Sequence, residues 1–377
     1  MLLVTVFLVT RGHGVSVSHG GKNSKTRENE KIATCGRFWY NAAEVRIMSN
    51  VTYLETGSTD PAYNLAFEEY VLTHRTQGDY LLLWQNDNTI VVGQNQNTAQ
   101  EIDPAFVKEH HITVVRRGTG GGAVYHDLGN LNYSFITDTG AAERLTMDRF
   151  TRPIVEALQN LGLNAEASGR NDILVEGRKV SGTAQRLVHG RILHHGTLLF
   201  DSRPEMIAGA LRVDQAKFTS KSAKSVKSRI GNIREFLSAD MTLPEFWEYL
   251  KRQLAGTGLV QSALTADELA QVSRLADEKY RTWEWTYGRS PKFDMVKRNY
   301  FTGGRLEVGV SVDHGSITEI RFYGDFLSLT DTTPLCRALE GVAYREDAVA
   351  AVLDSQPMAE MFGGITRDEV LRTIFNQ

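Results

Sequence analysis

Residues Arg116–Asp127 read RRGTGGGAVYHD and join two adjacent arginines to a glycine-dense turn. Apolar stretches lie on both sides, a pattern typical of a strand, a loop and a second strand. Successive glycines permit positive φ angles and a close approach of the backbone to a ligand, and guanidinium groups suit phosphate or carboxylate. The segment therefore predicts an anion-binding loop.

A purely structural tight turn is the alternative for this loop. Two arginines entering the turn from a strand would be costly near the core without an anionic partner, which favours ligand binding. No Gly-Lys-Ser/Thr follows the glycines, so the loop is not a Walker P-loop. No helix opens directly after them either, so it is not a dinucleotide fingerprint.

Length and composition indicate a globular protein with room for two domains and an appendage: 377 residues, 41% of them hydrophobic. The 42 basic and 45 acidic residues leave a net charge of −3. No global basic field would attract nucleic acid or an anionic membrane, so neither is an expected partner. No apolar run reaches the roughly 18 residues of a membrane span.

The two cysteines, Cys35 and Cys336, are far apart and give neither a disulfide framework nor a metal-binding cluster. We therefore expect a reducing, cytoplasmic location. The adjacent histidines His194 and His195 point to opposite faces of a strand and cannot easily share a metal, so no metal-binding residues are predicted. One of the two is expected to line a pocket and the other to be structural.

The N-terminal extension, residues 1–47, opens with apolar Met1–Val9 and continues without a sustained period. It lacks the basic start and the cleavage site of a secretory signal. We interpret it as an unstructured extension or a start-site artefact, with Met48 as the true start. An organellar targeting segment is the alternative, against which Glu28 and Glu30 argue.

Strands and helices mix along the remainder of the chain. Asp60-Pro61 predicts the capped start of a helix to Thr73, and the runs 80–84 and 89–93, separated by turn residues, predict a hairpin. Further strands are predicted at 112–115, 123–125, 131–136, 173–175, 179–181 and 197–200, and a helix at 148–161. The absence of strict βαβ alternation favours α+β, or α/β with a mixed sheet, over a doubly wound parallel fold.

A smaller C-terminal unit is predicted after a boundary near Gly288. A capping box at 265–268 opens a helix ahead of this boundary. Beyond the boundary, the alternating run 306–312 forms a hairpin with 317–322 that has one buried face, and a capping box at 366–369 opens the last helix. Trp283-Glu284-Trp285 is interpreted as an interdomain packing element. The predicted domains are 48–287 and 288–377.

Lys179 stands inside a predicted strand and is followed by Ser-Gly-Thr-Ala. An ammonium beside an acyl phosphate can neutralise charge in the transition state and hold a carboxylate in line for attack. Asp172 could bind Mg²⁺, position an incoming amine or only cap a turn.

These motifs resemble those of the lipoate-protein ligase family. Its signature RRxxGGGAVxHDxGN reads from Arg116 to Asn130 without a gap, with Gly118-Thr119 in place of the common serines. The resemblance covers about Val51 to the C-terminus. It extends to NLAFEE (64–69), EASGRND (166–172), KVSGTAQR (179–186), HHGTLL (194–199) and TWEWTYG (282–288).

The resemblance implies an α+β fold: an α/β mixed-sheet catalytic domain of the biotin/lipoate ligase type with a small α+β accessory domain. It implies that ATP and lipoate form lipoyl-AMP and pyrophosphate. A lysine of a lipoyl domain then attacks the mixed anhydride, in a 2-oxoacid dehydrogenase acyltransferase subunit or the glycine-cleavage carrier protein. Expected cofactors are ATP and Mg²⁺, and the chain is expected to be a monomer.

The resemblance also assigns roles to individual residues. Lys179 would be catalytic and would contact both the lipoate carboxyl and the phosphate. The nucleotide would contact Arg117, Gly122, Ala123, Val124, Tyr125, Lys179 and Asp172. Lipoate would contact Arg116, Gly120, Gly121, Lys179 and His195.

An ATP-independent lipoyl or octanoyl amidotransferase is the main alternative function. The octanoyl transferases that share this fold use a cysteine nucleophile. Neither Cys35 nor Cys336 is near Lys179 or the glycine loop in the sequence, which favours activation by ATP. The sequence leaves the preference between lipoate and octanoate open.

Overall fold

The computed structural model describes residues 51–139, 147–211, 229–255, 258–288 and 293–375. The predictions about residues 1–47, Met48 and Cys35 lie outside these ranges. Within them, no helix is both long enough and apolar enough to cross a membrane.

Fourteen strands are present in the described ranges. They are β1 Val51–Glu55, β2 Asp79–Trp84, β3 Thr89–Val92, β4 Thr113–Arg116, β5 Val124–His126, β6 Asn130–Asp138, β7 Ala165–Ser168, β8 Asp172–Val175, β9 Arg178–Val188, β10 Arg191–Leu199, β11 Leu259–Gln261, β12 Met295–Phe301, β13 Gly304–Asp313 and β14 Ser316–Gly324.

The strands form three sheets. The large sheet has the order β11-β1-β2-β6-β10-β9-β8-β7, parallel from β11 to β2 and antiparallel from β2 onward. A small sheet has the order β4-β3-β5, and the C-terminal sheet the order β12-β13-β14. The mixed-sheet α+β prediction is confirmed.

Helices cover both faces of the large sheet and one face of the C-terminal sheet. They are α1 Pro61–His74, α2 Thr98–Glu101, α3 Pro104–Glu109, α4 Met147–Asn160, α5 Pro204–Ala210, α6 Leu243–Ala255, α7 Ala266–Leu275, α8 Trp283–Thr286, α9 Thr333–Leu339, α10 Glu346–Leu353, α11 Met358–Phe362 and α12 Arg367–Phe375.

The helix starts follow the capping signals in the sequence. The Asp60 carboxylate accepts hydrogen bonds from the backbone N–H groups of Ala62, at 2.9 Å, and Tyr63, and Pro61 occupies the first turn, where its missing donor costs nothing. Reciprocal capping contacts join Thr265 to Glu268 before α7. Thr366 and Glu369 make the same contacts before α12. The predicted helix starts are therefore confirmed.

The predicted hairpin between residues 80–84 and 89–93 is wrong, because β2 and β3 belong to different sheets. β2 pairs with β1 and β6, whereas β3 pairs with β4 and β5. Both runs are apolar on both faces, so neither carries an alternation that would identify its neighbour. The intervening turn crosses from one sheet to the other and is held by Asn64, whose Nδ2 donates to the Gln85 carbonyl at 2.7 Å.

The C-terminal hairpin β13–β14 is confirmed, but the prediction of one buried face is wrong. Every residue from Gly304 to Val310 is buried. The polar side chains of this stretch are paired: Arg305 with Glu101 of α2, and Glu307 with Arg298. These ion pairs allow the polar face of the hairpin to be buried, on one side against α2.

The Trp283–Trp285 segment only partly packs. Trp285 Nε1 donates to the Arg116 carbonyl at 2.8 Å, whereas Trp283 is 68% exposed, so the packing prediction is wrong for Trp283. All described residues belong to one compact unit. The predicted division into 48–287 and 288–377 stays a prediction.

Candidate functional site

A cavity lies between the large sheet and the small sheet. Leu65 of α1, Trp84 of β2 and Val91 of β3 form part of its apolar wall. The predicted site residues that line it are Arg117, Gly121, Gly122, Ala123, Val124, Lys179 and His195. The structure thus brings together segments that are more than 100 residues apart, as the sequence motifs require.

Tyr125 points away from this cavity because side chains alternate along β5. Val124 and His126 line the cavity, and Tyr125 lies on the opposite face, where its hydroxyl donates to Asn88 Oδ1 at 2.9 Å. Arg203 donates to the same hydroxyl at 3.1 Å. A nucleotide contact through the Tyr125 side chain is therefore not what this geometry favours.

The glycine loop faces the C-terminal segment 325–329 as well as the cavity. Gly121, with φ of +89°, donates its N–H to the Phe326 carbonyl at 3.1 Å. A Cβ on Gly120 would lie 2.7 Å from that carbonyl oxygen and 2.9 Å from the backbone nitrogen of Ser328. Gly120 is therefore required for close approach of two backbone segments, and it does not line the cavity.

Replacing Gly120 by alanine is expected to destabilise the protein by about 2 kcal/mol, because the added methyl overlaps backbone rather than a mobile side chain. Gly122→Ala is the matched control, since a Cβ there meets nothing within 4 Å. Urea unfolding of both variants measures the difference. Equal stabilities of the two variants would contradict this assignment.

Arg117 is buried beneath the loop, and its guanidinium is largely satisfied by the protein itself. Its Nη2 donates to the Gly120 and Gly122 carbonyls at 2.7 and 2.8 Å, and its Nε donates to Thr119 Oγ1 at 2.9 Å. Burial lowers the pKa of the guanidinium to about 10, and the nearby Glu68 carboxylate opposes that shift. Arg117 therefore shapes the loop from inside while presenting a face to the cavity.

Arg116 is fully buried and does not line the cavity. Its Nη1 donates to the carbonyls of Gly93, Gln94 and Gln96 at 2.9, 3.0 and 2.7 Å. Its Nη2 and Nε reach α2 and α8, where the acceptors are Thr98 Oγ1, the Thr286 carbonyl and the Trp285 carbonyl. The argument that this arginine requires an anionic ligand is wrong, because peptide carbonyls satisfy it.

Lys179 and Asp172 form an ion pair at the edge of the cavity, with Nζ 2.7 Å from Oδ1 and both side chains about one-third exposed. Ser181 pairs with Ile173 and Lys179 with Leu174, so Val180 is an extra residue in β9. Such a bulge reverses the alternation of side chains. It places Lys179 on the same face as Gly182. The Lys179 ammonium lies 3.2 Å from the position that a Cβ on Gly182 would take.

His195 is held in a buried network at the cavity floor. Its Nδ1 lies 2.9 Å from Glu68 Oε1, and its Nε2 lies 2.9 Å from Thr119 Oγ1. Ser134 donates to the same Glu68 oxygen at 2.6 Å, and Trp84 Nε1 donates to Ser134 at 2.9 Å. These bonds connect the apolar wall of the cavity to Thr119, which also binds Arg117.

His194 lies on the other face of the large sheet, as the alternation along β10 requires. Its ring stacks on Phe150, with centroids 4.9 Å apart, and burial lowers its pKa well below the usual value. The prediction that one histidine lines a pocket and the other is structural is confirmed.

Comparison with protein families and curated proteins decides the assignment. Residues 60–255 match the model of the lipoyl protein ligase A/B catalytic domain, and residues 290–374 match the bacterial lipoate protein ligase C-terminus. The chain is 42% identical to lipoate-protein ligase LplJ of Bacillus subtilis over 321 residues, which cover 84% of this chain and 97% of that protein. The chain belongs to the lipoate-protein ligase family.

Further relatives agree with membership of this ligase family. Lipoate–protein ligase 1 of Staphylococcus aureus is 41% identical over 83% of this chain and 96% of its own length. A solved lipoate-protein ligase A bound with ATP has a TM-score of 0.55 and 27% identity, covering 64% of this chain and 99% of that one. The P. falciparum LipL1 structure in complex with lipoate shares the fold, with a TM-score of 0.73 and 23% identity over 87% of this chain and all of that chain. The chain is an enzyme of the ligase class, and ligation is supported over the amidotransferase alternative.

Cys336 of this ligase is also unsuited to nucleophilic catalysis. It is buried in α9 among the C-terminal core residues, and burial raises the pKa of its thiol to about 11. A protonated, enclosed thiol is a poor nucleophile.

Sequence reasoning did not assign roles to Glu68, Thr119 or Asn132 of the ligase site. A usable signal existed for Asn132, because β6 reads NLNYSFITD and carries polar residues at alternate positions in a strand that is buried from Asn130 to Thr137. Buried polar side chains at alternate positions of one strand indicate a polar lining on one face.

Proposed function

We propose that the enzyme activates lipoate with ATP to lipoyl-AMP and transfers the lipoyl group to a lysine of a lipoyl domain. The proposed acceptors are lipoyl domains of 2-oxoacid dehydrogenase complexes and the glycine-cleavage carrier protein. The observation that carries the proposal is the Lys179–Asp172 pair at one end of a cavity whose far wall is apolar. Such a site can hold an acyl chain inside and its carboxylate at the rim.

A row of paired residues crosses the large sheet beside the cavity and defines a line along which an acyl chain could lie. Trp84 pairs with Asn132, Asn132 with Thr197, and Gly182 with Asp172, while the Gly182 N–H donates to Thr197 Oγ1 at 3.2 Å. The row crosses five strands, about 19 Å at the usual strand spacing. An extended acyl chain with its carboxylate at Lys179 would run along this row toward Trp84.

The first chemical step joins the carboxylate to the nucleotide. A lipoate carboxylate oxygen attacks the α-phosphorus of ATP, the bond to the bridging oxygen breaks, and pyrophosphate leaves. The Lys179 ammonium would draw the carboxylate into line and stabilise the negative charge that builds on the phosphoryl oxygens. The Gly122, Ala123 and Val124 backbone, beside Arg117, would border the nucleotide.

The second step transfers the acyl group. The ε-amine of the acceptor lysine attacks the acyl carbon of the mixed anhydride, loses a proton, and AMP leaves as the carbon–oxygen bond breaks. Asp172, half of whose carboxylate is engaged by Lys179, would orient this amine. A solved archaeal lipoylation system from Thermoplasma acidophilum is described as a bipartite lipoate protein ligase and its E2 lipoyl domain. It is 29% identical to this chain with a TM-score of 0.55 and supports a lipoyl domain as acceptor.

Mg²⁺ is proposed as a cofactor because it commonly binds nucleotide phosphates in enzymes. Asp172 is a partly exposed carboxylate beside the proposed phosphate position, the type of ligand that Mg²⁺ takes together with phosphate oxygens. When bound, the ion would neutralise phosphate charge. A cytoplasmic location is proposed from the paucity of cysteines. A monomeric state is proposed from the family resemblance.

The intact mass of a lipoyl domain tests the proposal. After incubation with enzyme, ATP, Mg²⁺ and lipoate we expect the mass to increase by one lipoyl group, and the enzyme alone to catalyse lipoate-dependent ATP–pyrophosphate exchange. Omitting ATP is the control and should abolish the mass change. Transfer without ATP from an already lipoylated protein would overturn the proposal in favour of an amidotransferase.

A further inference from the structure

Two nitrogen atoms in the wall of the cavity have no hydrogen-bond partner within the described part of the chain: His126 Nε2 and Asn132 Nδ2. The two side chains are 3% and 2% exposed. A buried polar atom without a partner is costly and rare in native structures, so two in one cavity require a physical explanation.

The neighbours of His126 fix which of its ring nitrogens carries the proton. Asn64 Nδ2 donates to Asn86 Oδ1 at 2.9 Å, so Asn86 turns its own Nδ2 toward His126 Nδ1, at 3.1 Å. An amide nitrogen only donates, and Nδ1 is therefore the acceptor. Burial, with Arg117 and His195 nearby, lowers the pKa of the ring to about 3. The neutral ring carries its one proton on Nε2, a donor without a partner among the described residues, in a side chain that lines the cavity.

Asn132 is the second side chain of the lining with a nitrogen unpaired among the described residues. Asn130 Nδ2 donates to Asn132 Oδ1 at 3.0 Å, which leaves Asn132 Nδ2 as the free end of the amide. Asn132 stands in β6, two strands from β9 and Lys179. Two strand spacings are about 10 Å. That separation is comparable to the distance from the carboxyl carbon to the ring sulfurs in extended lipoate.

Arg117 and His195, two buried cationic or titratable side chains of the lining, are engaged with protein groups. Arg117 donates to main-chain carbonyls and Thr119, and His195 bridges Glu68 and Thr119. Lys179 is held by Asp172 at the opposite end. Among the side chains that line the cavity, His126 and Asn132 are therefore the two that hold a buried nitrogen without a partner in the described residues.

We propose that His126 and Asn132 form a donor pair that favours acyl substrates carrying a hydrogen-bond acceptor at the far end, here the dithiolane sulfurs of lipoate, over a plain alkyl chain such as that of octanoate. The inference rests on the proposed function for the identity of the acid. Sulfur is a weak acceptor, whereas an alkyl chain leaves both buried N–H groups unpaired. The expected preference from each donor is about tenfold, the scale of discrimination by single contacts in apolar pockets.

The test compares lipoate with octanoate on the full chain. In ATP–pyrophosphate exchange we expect the ratio of kcat/KM values, lipoate over octanoate, to fall about tenfold in His126→Phe and in Asn132→Leu, through the lipoate value. His126→Gln should restore the ratio, because one amide can accept from Asn86 and still donate into the cavity. Val91→Ala is the matched control, since it enlarges the cavity without changing any donor and should affect both acids alike.

Dissociation constants for the two acids, measured by calorimetry without ATP, separate this inference from the proposed function. A wild-type chain that favours lipoate in binding but catalyses no exchange would overturn the ligase proposal and leave the donor pair supported. Unchanged binding ratios in His126→Phe and Asn132→Leu, with both variants melting cooperatively, would overturn the donor pair. Should Asn132→Leu not fold, the His126→Phe and His126→Gln comparison decides alone.

Discussion

Replacing Lys179 by alanine is expected to lower the rate of lipoate-dependent ATP–pyrophosphate exchange about 10³-fold, the scale of losing one preorganised electrostatic contact. The ammonium lies at the rim of the cavity, where the substrate carboxylate and the nucleotide phosphate would meet. The loss should appear in kcat and kcat/KM together, because the charge that Lys179 opposes is largest in the transition state.

Lys108→Ala is the matched control for this variant, since Lys108 is an exposed lysine on the surface helix α3. It should exchange at the wild-type rate. Lys179→Arg should recover little activity, because the larger planar guanidinium cannot occupy the space above Gly182 in the same way. Exchange by Lys179→Ala within tenfold of the wild-type rate would contradict a catalytic role for this residue.

Helix-capping signals predicted where several helices begin, because the residues that make each capping contact are close together in the sequence. The N-cap at Asp60 and the capping box at Thr265 act within one helical turn, and both helices begin where those signals predict. The pairing of β2 and β3 depends instead on strands more than 20 residues away. Uniformly apolar runs contain no information on that choice, which explains the wrong hairpin.

The candidate site shows the same limit. The motif around Lys179 predicted that this residue belongs to the site. The face of β9 on which its side chain lies depends on the bulge at Val180, which the sequence pattern does not reveal. The lengths of β9 and β10 were underestimated because polar residues such as Gln185 and His194 are buried within them. The alternating polar residues of β6 indicate a polar lining at Asn132, but that His126 of β5 lines the same cavity depends on the topology.

The second large effect concerns stability. Arg116→Ala is expected to lower the free energy of unfolding by about 4 kcal/mol, because it leaves several buried carbonyl groups without donors. Those carbonyls belong to the segment 93–96 and to α8, which Arg116 ties to β4. The lipoate dissociation constant of the folded fraction should change little, since this side chain does not line the cavity.

Urea unfolding and lipoate titration of the same samples distinguish the two roles considered for Arg116. Arg152→Ala is the control, because Arg152 is exposed on α4, where its pairing with Glu156 contributes little. Arg116→Lys should be intermediate, as one ammonium replaces part of a planar fork of donors. A tenfold weaker affinity of Arg116→Ala for lipoate at unchanged stability would instead support a direct contact between Arg116 and the acyl chain. Lost stability at unchanged affinity would establish that the paired arginines differ in kind, with Arg116 holding the framework and Arg117 shaping the loop above the substrate.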